Sequence, residues 1–124
     1  MKSKHHVGLR EHEIQRQILD WLKLKHIMHW RSNTGAMAGS HKGKRWYVKF
    51  GPKGGPDIFA VIKGQIFGIE VKAHDGFQSQ VQKEFEVEFT RTTGVNPPCG
   101  IYVLAWELGH VVTALTDAMR EKMN

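Results

Sequence analysis

Apolar positions recur with helical spacing near the start of the chain. Ile14, Ile18, Trp21 and Leu22 fall at i, i+4, i+7 and i+8, which predicts an amphipathic helix over about residues 11–25. The next residues alternate, Met28, Trp30 and Ser32 against His29, Arg31 and Asn33, and predict a strand over 27–33. From Thr34 to Lys44 the period is lost, and Gly35, Gly39, Gly43 and basic residues read as a loop. Arg45 to Phe50 alternates again as a strand would, before the turn-rich run Gly51-Pro52-Lys53-Gly54-Gly55-Pro56. Two apolar runs follow, 57–62 and 65–72, joined by Lys63-Gly64; a two-residue link ending in glycine predicts a hairpin. Ser79 is placed to cap a helix running to about Thr92, with Val81, Phe85 and Phe89 as its buried stripe and Gly94 at its end. The β-prone run Gly100 to Ala105 predicts an inner strand. His110 to Leu115 reads as a short strand, and Thr116-Asp117 as the cap of a final helix to Met123. The expected fold is α/β, a mixed central β-sheet flanked by helices.

Composition narrows the class. A chain of 124 residues has room for one domain, and 40% hydrophobic with 24% charged residues suits an ordinary globular protein. Its apolar runs are far shorter than the ~20 residues a membrane-spanning helix needs, and Met1-Lys2-Ser3-Lys4-His5-His6 leads into no apolar stretch of the kind a signal peptide carries. The single Cys99 leaves no internal disulfide and no cysteine-based zinc site. The expectation is a cytoplasmic protein with no membrane partner. A net charge of +6 and a pI near 9.6 make nucleic acid a candidate partner. Much of that charge sits at His41, Lys42, Lys44, Arg45, Lys49 and Lys53, around Trp46, Tyr47 and Phe50. The cations suit phosphate contact, whereas the alternating rings of Trp46 and Phe50, like those of Trp30 and Trp106, are expected in the core.

The candidate chemistry lies in Gly54-Gly55-Pro56-Asp57, twelve intervening residues, then Glu70-Val71-Lys72. Glu70 and Lys72 share one strand face, and pairing about Lys63-Gly64 sets Asp57 opposite Glu70. Two carboxylates so close are unfavourable unless a positive group lies between them. A hard divalent cation, Mg²⁺ or Mn²⁺, takes one or two carboxylates and completes its shell with water and substrate phosphate oxygens. It also acidifies bound water and stabilises charge on phosphate. Lys72 is assigned to water positioning and electrostatic stabilisation. Each fragment alone matches many turns and solvated strands; the pair at hairpin spacing in a basic domain is more specific.

These residues resemble the PD-(D/E)xK nucleases, whose pattern Asp57, Glu70 and Lys72 match. The flanking residues are similar to the virus-type replication-repair branch, the VRR-NUC domain. They are Glu13, Gln17, Ile18, Trp21 and Leu22; Arg31, Asn33 and Gly35; Gly55-Pro56-Asp57; Ile69 to Lys72; Ser79 with Gln82; and Gly94 before Ile101-Tyr102-Val103. The likeness covers about residues 11–106 and is nearest the small stand-alone, phage-encoded members. It implies a restriction-endonuclease-like core and a metal-dependent endonuclease. It implies too that Glu13 is an accessory acid reaching the metal directly or through water, that Gln82 hydrogen-bonds near Lys72 or the water, and that the Val71 carbonyl is a further ligand. A homodimer cleaving branched DNA such as four-way junctions is implied as well. Arg31, Asn33, Lys42, Lys44, Arg45, Lys49 and Lys53 are the expected DNA contacts. Three alternatives stand beside this reading: a basic DNA-binding module without catalysis, a nuclease of the same fold acting on linear duplex, and a histidine-based metal enzyme. For the last, His26 and His29 straddle a helix end and a strand and need not converge.

Overall fold

The computed structural model describes residues 8–32, 36–49, 53–93 and 100–121. Helix α1, Glu11–Leu24, forms where the 3.6-residue stripe was expected, and its Ile14, Ile18 and Leu22 are buried. The Glu13 carboxylate accepts the Arg10 backbone N–H at 2.8 Å, which satisfies one donor at the helix start. The helix ends in a Schellman motif. His26 takes φ of 58°, its N–H bonds the Lys23 carbonyl, and the Ile27 N–H bonds that of Leu22.

Four strands make the central sheet, in the order β1-β4-β5-β6: β1 Met28–Arg31, β4 Ile58–Ile62, β5 Gln65–Val71 and β6 Gly100–Ala105. β1 and β4 pair antiparallel, as do β4 and β5, whereas β6 runs parallel to β5. A parallel neighbour needs a crossover, and helix α2, Gln80–Thr93, lies in that connection. The sheet is therefore mixed and flanked by helices, as expected. Ile58 pairs with Ile69 and Ile62 with Gln65 about Lys63-Gly64, where φ values of 46° and 88° mark a type I′ turn.

Alternation gives the sheet two different faces. Ile58, Ala60 and Ile62 of β4, with Phe67, Ile69 and Val71 of β5, meet Ile14, Ile18 and Leu22 of α1 and Val111, Leu115 and Ala118 of the last helix. Burying each large aliphatic chain there contributes roughly 1.5–3 kcal/mol. On the other face Trp30 stacks on Phe59, and Phe59 meets Phe89 of α2, which in turn stacks on Phe85. No helix of the described residues is long and apolar enough to cross a membrane.

Several sequence expectations are corrected. Thr34 to Lys44 is not a loop throughout: β2, Ala36–His41, pairs with β3, Lys44–Lys49, in a separate two-stranded sheet. Gly100–Ala105 is at the edge of its sheet, not inside it, although Gly100, Val103 and Ala105 are buried. His110 to Leu115 is helical, within α3, Leu108–Glu121; Val111, Leu115 and Ala118 recur at i, i+4 and i+7 and outweigh the β-branched pair Val111-Val112. Val81 lies on the exposed side of α2. Trp30 and Trp106, expected in the core, are at the surface, 43% and 37% exposed. Gly94 and Cys99 lie outside the described residues, as do the side chains of Trp46, Tyr47 and Phe50.

Candidate active site

At one end of the sheet the chain enters β4 and leaves β5. Pro56 is buried against Gly68 of β5, where an added Cβ would come within 3.2 Å of the proline ring. Gly54 takes φ of +77° and lies so near the first turn of α2 that a Cβ would fall 2.5 Å from the Val81 carbonyl oxygen. This tight approach sets the position of Asp57. Its N–H bonds the Ile69 carbonyl at 2.9 Å, and its own carbonyl accepts the Ser32 N–H at 2.8 Å, so the ladder continues past β4 on both sides. The register that pairs Ile58 with Ile69 puts Asp57 opposite Glu70.

Asp57 Oδ2 accepts the Val71 N–H at 2.8 Å. Glu70 is 3% exposed. Its Oε2 accepts Gln82 Nε2 at 2.9 Å and lies 3.4 Å from Lys72 Nζ, and its Oε1 is buried with no hydrogen-bond partner. Burial raises the pKa of Glu70 to about 7, with the Asp57 charge adding to the rise and Lys72 opposing it. Asp57 is raised for the same main reason, against its Val71 hydrogen bond. Lys72 is itself buried, its N–H held by the Ala105 carbonyl at 2.9 Å. The loop beyond it is pinned where the Trp106 indole N–H donates to Gly76.

Gln82 reaches this group through its helix cap. Ser79 Oγ accepts the Gln82 N–H, and Gln82 Oε1 accepts the Ser79 N–H at 2.9 Å, a reciprocal capping box. With its oxygen turned to the backbone, the amide presents its NH₂ to Glu70.

Glu13 is not brought to the pair; its carboxylate is used at the α1 cap. The acid of α1 whose charge bears on both Asp57 and Glu70 is Glu11, which the sequence reading missed. Two positions apart on one helix turn, the two glutamates differ by about 200° in direction, and only the packing of α1 decides between them. Tyr102 was missed too. It pairs with Gly68 across β5 and β6 and so shares the Glu70 face. Burial pushes its phenol up to about 12; Gln78 is close, but no well-formed hydrogen bond joins them. Arg31 stands across from Ile58, one residue from Asp57, and its charge steadies the Asp57 carboxylate. Lys42, Lys44 and Arg45 are exposed at the β2–β3 turn, where Lys42 and Gly43 have φ of 53° and 79°, and Lys53 is exposed before Gly54. Asn33 and the side chain of Lys49 lie outside the described residues.

No protein-family model matches the chain, and no curated protein or solved structure matches it. Among the described residues no group of three or more His, Cys, Asp or Glu is arranged to hold a metal ion, and His29 Nδ1 is engaged with the Ile27 carbonyl at 2.7 Å. Two carboxylates nevertheless suit a hard cation that keeps most of its waters. The buried, unpartnered Glu70 Oε1 is an oxygen for which such an ion would supply the missing contact.

Proposed function

We propose that this chain is a divalent-cation-dependent DNA endonuclease with a PD-(D/E)xK-type core, of the kind the VRR-NUC resemblance suggests. The observation that carries the reading is the buried Glu70 carboxylate, one oxygen unpartnered, opposite Asp57 and beside Lys72 at one end of the sheet. A carboxylate pair serving only the fold would have its oxygens satisfied or exposed to water.

Asp57 and Glu70, with the Val71 carbonyl, would hold Mg²⁺ or Mn²⁺, which when bound acidifies a water and stabilises charge on the phosphate. Gln82 keeps Glu70 in one orientation through its 2.9 Å hydrogen bond. Lys72 Nζ, 3.4 Å from Glu70, offers a cation to orient the attacking water and to offset the charge that gathers on the phosphate oxygens. Arg31, Lys42, Lys44, Arg45 and Lys53, with Asn33 and Lys49, supply phosphate contacts, which position DNA without reading its sequence. A homodimer acting on branched DNA in the cytoplasm of a bacterial host belongs to the same proposal, since two symmetric sites suit two strands of a four-way junction.

The test is cleavage of a labelled four-way junction and of a linear duplex with the same arm sequences, with Mg²⁺, Mn²⁺ or chelator. Cation-dependent cutting of the junction with the duplex spared is expected; cutting of both keeps the site and discards the junction preference. Asp57→Asn and Glu70→Gln should each lower the rate at least ~100-fold while DNA binding persists. Wild-type rates in either variant, or no cutting by the wild type while it still binds, would defeat the reading.

A further inference from the structure

Two arginines that border one groove close no ion pair among the described residues. Arg16 on α1 and Arg31 at the end of β1 are exposed, and neither side chain makes an ion pair or hydrogen bond among the described residues. Asp20 stands four positions after Arg16, a spacing at which helical ion pairs form, yet it does not close on it. Both arginines line a groove of about 490 Å³ whose remaining walls are His12, Gln15, Leu19 and Asp20. A neighbouring depression of about 450 Å³ shares His12 and Arg16, so the concave surface continues along α1.

Charges at both walls of the groove are felt at the acid pair, Arg31 itself at Asp57. On the strand side, Arg31 pairs with Ile58 and precedes Ser32, whose N–H bonds the Asp57 carbonyl. On the helix side, His12 follows Glu11, whose charge is felt at Asp57 and Glu70. A lone surface arginine is ordinary. Two unpaired guanidiniums with a histidine and an amide in one concavity form a donor-rich surface for an anion that is extended rather than compact. Each guanidinium offers a planar fork of N–H groups that fits phosphate.

We propose that this α1–β1 groove holds the sugar–phosphate backbone of the nucleic-acid strand beside the phosphate under attack, with Arg16 and Arg31 on neighbouring phosphates. The proposal rests on the nuclease reading and adds Arg16, His12 and Gln15 to the contact surface. Asp20 at the rim weakens the hold, which suits a strand that has to leave after it is cut.

Anisotropy titrations of a fluorescent duplex over a range of salt, in chelator, test the groove apart from hydrolysis. Arg16→Gln with Arg31→Gln is expected to weaken binding about tenfold near physiological salt and to lower the slope of log affinity against log salt by about 1.8. Asp20→Asn should tighten binding about twofold by removing the opposing charge. Unchanged affinity and slope in a folded arginine variant overturns the proposal. If that variant does not fold, Asp20→Asn decides: tighter binding supports the groove, unchanged or weaker binding overturns it. A wild type that binds through these arginines but cuts nothing with Mg²⁺ or Mn²⁺ sinks the nuclease reading and leaves the groove as a binding surface. Cutting by the wild type, with the arginine variant binding as well as before, sinks the groove alone.

Discussion

Glu70 combines near-complete burial, a like-charged neighbour and one unpartnered oxygen. Its folded pKa, about 7, is raised from an ordinary 4.5, so between those values the folded chain binds more protons than the unfolded one. Stability without divalent cations should be fully present below about pH 4.5 and fall as the pH rises to about 7, by an amount on the order of 3 kcal/mol. Asp57, also raised, adds in the same direction. Urea unfolding midpoints at pH 5 and pH 8 in chelator measure this. Glu70→Gln should flatten the dependence, and a wild type equally stable at both pH values would show that the carboxyl is not strained. Among single residues the acids and Lys72 were legible, because a two-residue turn fixes which positions meet. The place of Gln82 was legible from its offset to Ser79, but its expected partner was Lys72 or a water and the structure gives Glu70. Glu11 and Tyr102 were not, since a helix packing angle and a strand at high sequence separation bring them near.

Glycines at three turns separate local strain from packing at the level of elements. Gly43 and Gly64 have positive φ with open space around them, whereas Gly54 has positive φ and the α2 backbone within 2.5 Å of where a Cβ would stand. Gly43→Ala should therefore cost about 1 kcal/mol. Gly54→Ala should cost about 2–4 kcal/mol, because either the turn or the first turn of α2 has to move. Chemical denaturation of the two variants tests this, and equal losses would mean the Gly54 approach is not a constraint. Gly54→Ala should also lower cleavage, since the displaced turn carries Asp57. The hairpin β4–β5 and helices α1 and α2 could be read from their periods. β2 could not: Ala36, Ala38 and Ser40 alternate with too little hydrophobic contrast, and Lys42-Gly43 lacks the Asn or Asp that usually marks such a turn. α3 was obscured at its start by Val111-Val112-Thr113, residues with strand preference that helix packing overrides.

Across the whole molecule the exposed cations and the buried acids belong to different elements. The buried acids sit at the end of the central sheet, and Lys42, Lys44 and Arg45 crowd the turn of the separate two-stranded sheet. Neutralising these three together should weaken DNA binding and reduce its salt slope by about 2–3 on duplex, with little effect on unfolding midpoints. Salt titrations of binding measure it, and an unchanged slope would remove this turn from the contact surface. The α/β class and the β4–β5 pairing were legible in the chain. The edge position of β6 was not, because its two faces are covered by α2 and α3 and it reads like an interior strand.

The amide of Gln82 belongs at once to a helix terminus and to an acid. Its two ends form a mechanical linkage: fraying of α2 at Ser79 releases the group that aims Glu70. The proton equilibrium of the carboxyl is thereby tied to the opening and closing of a helix turn that contains no acid. The energies of the two cannot be apportioned by single deletions, because removing either bond slackens the other.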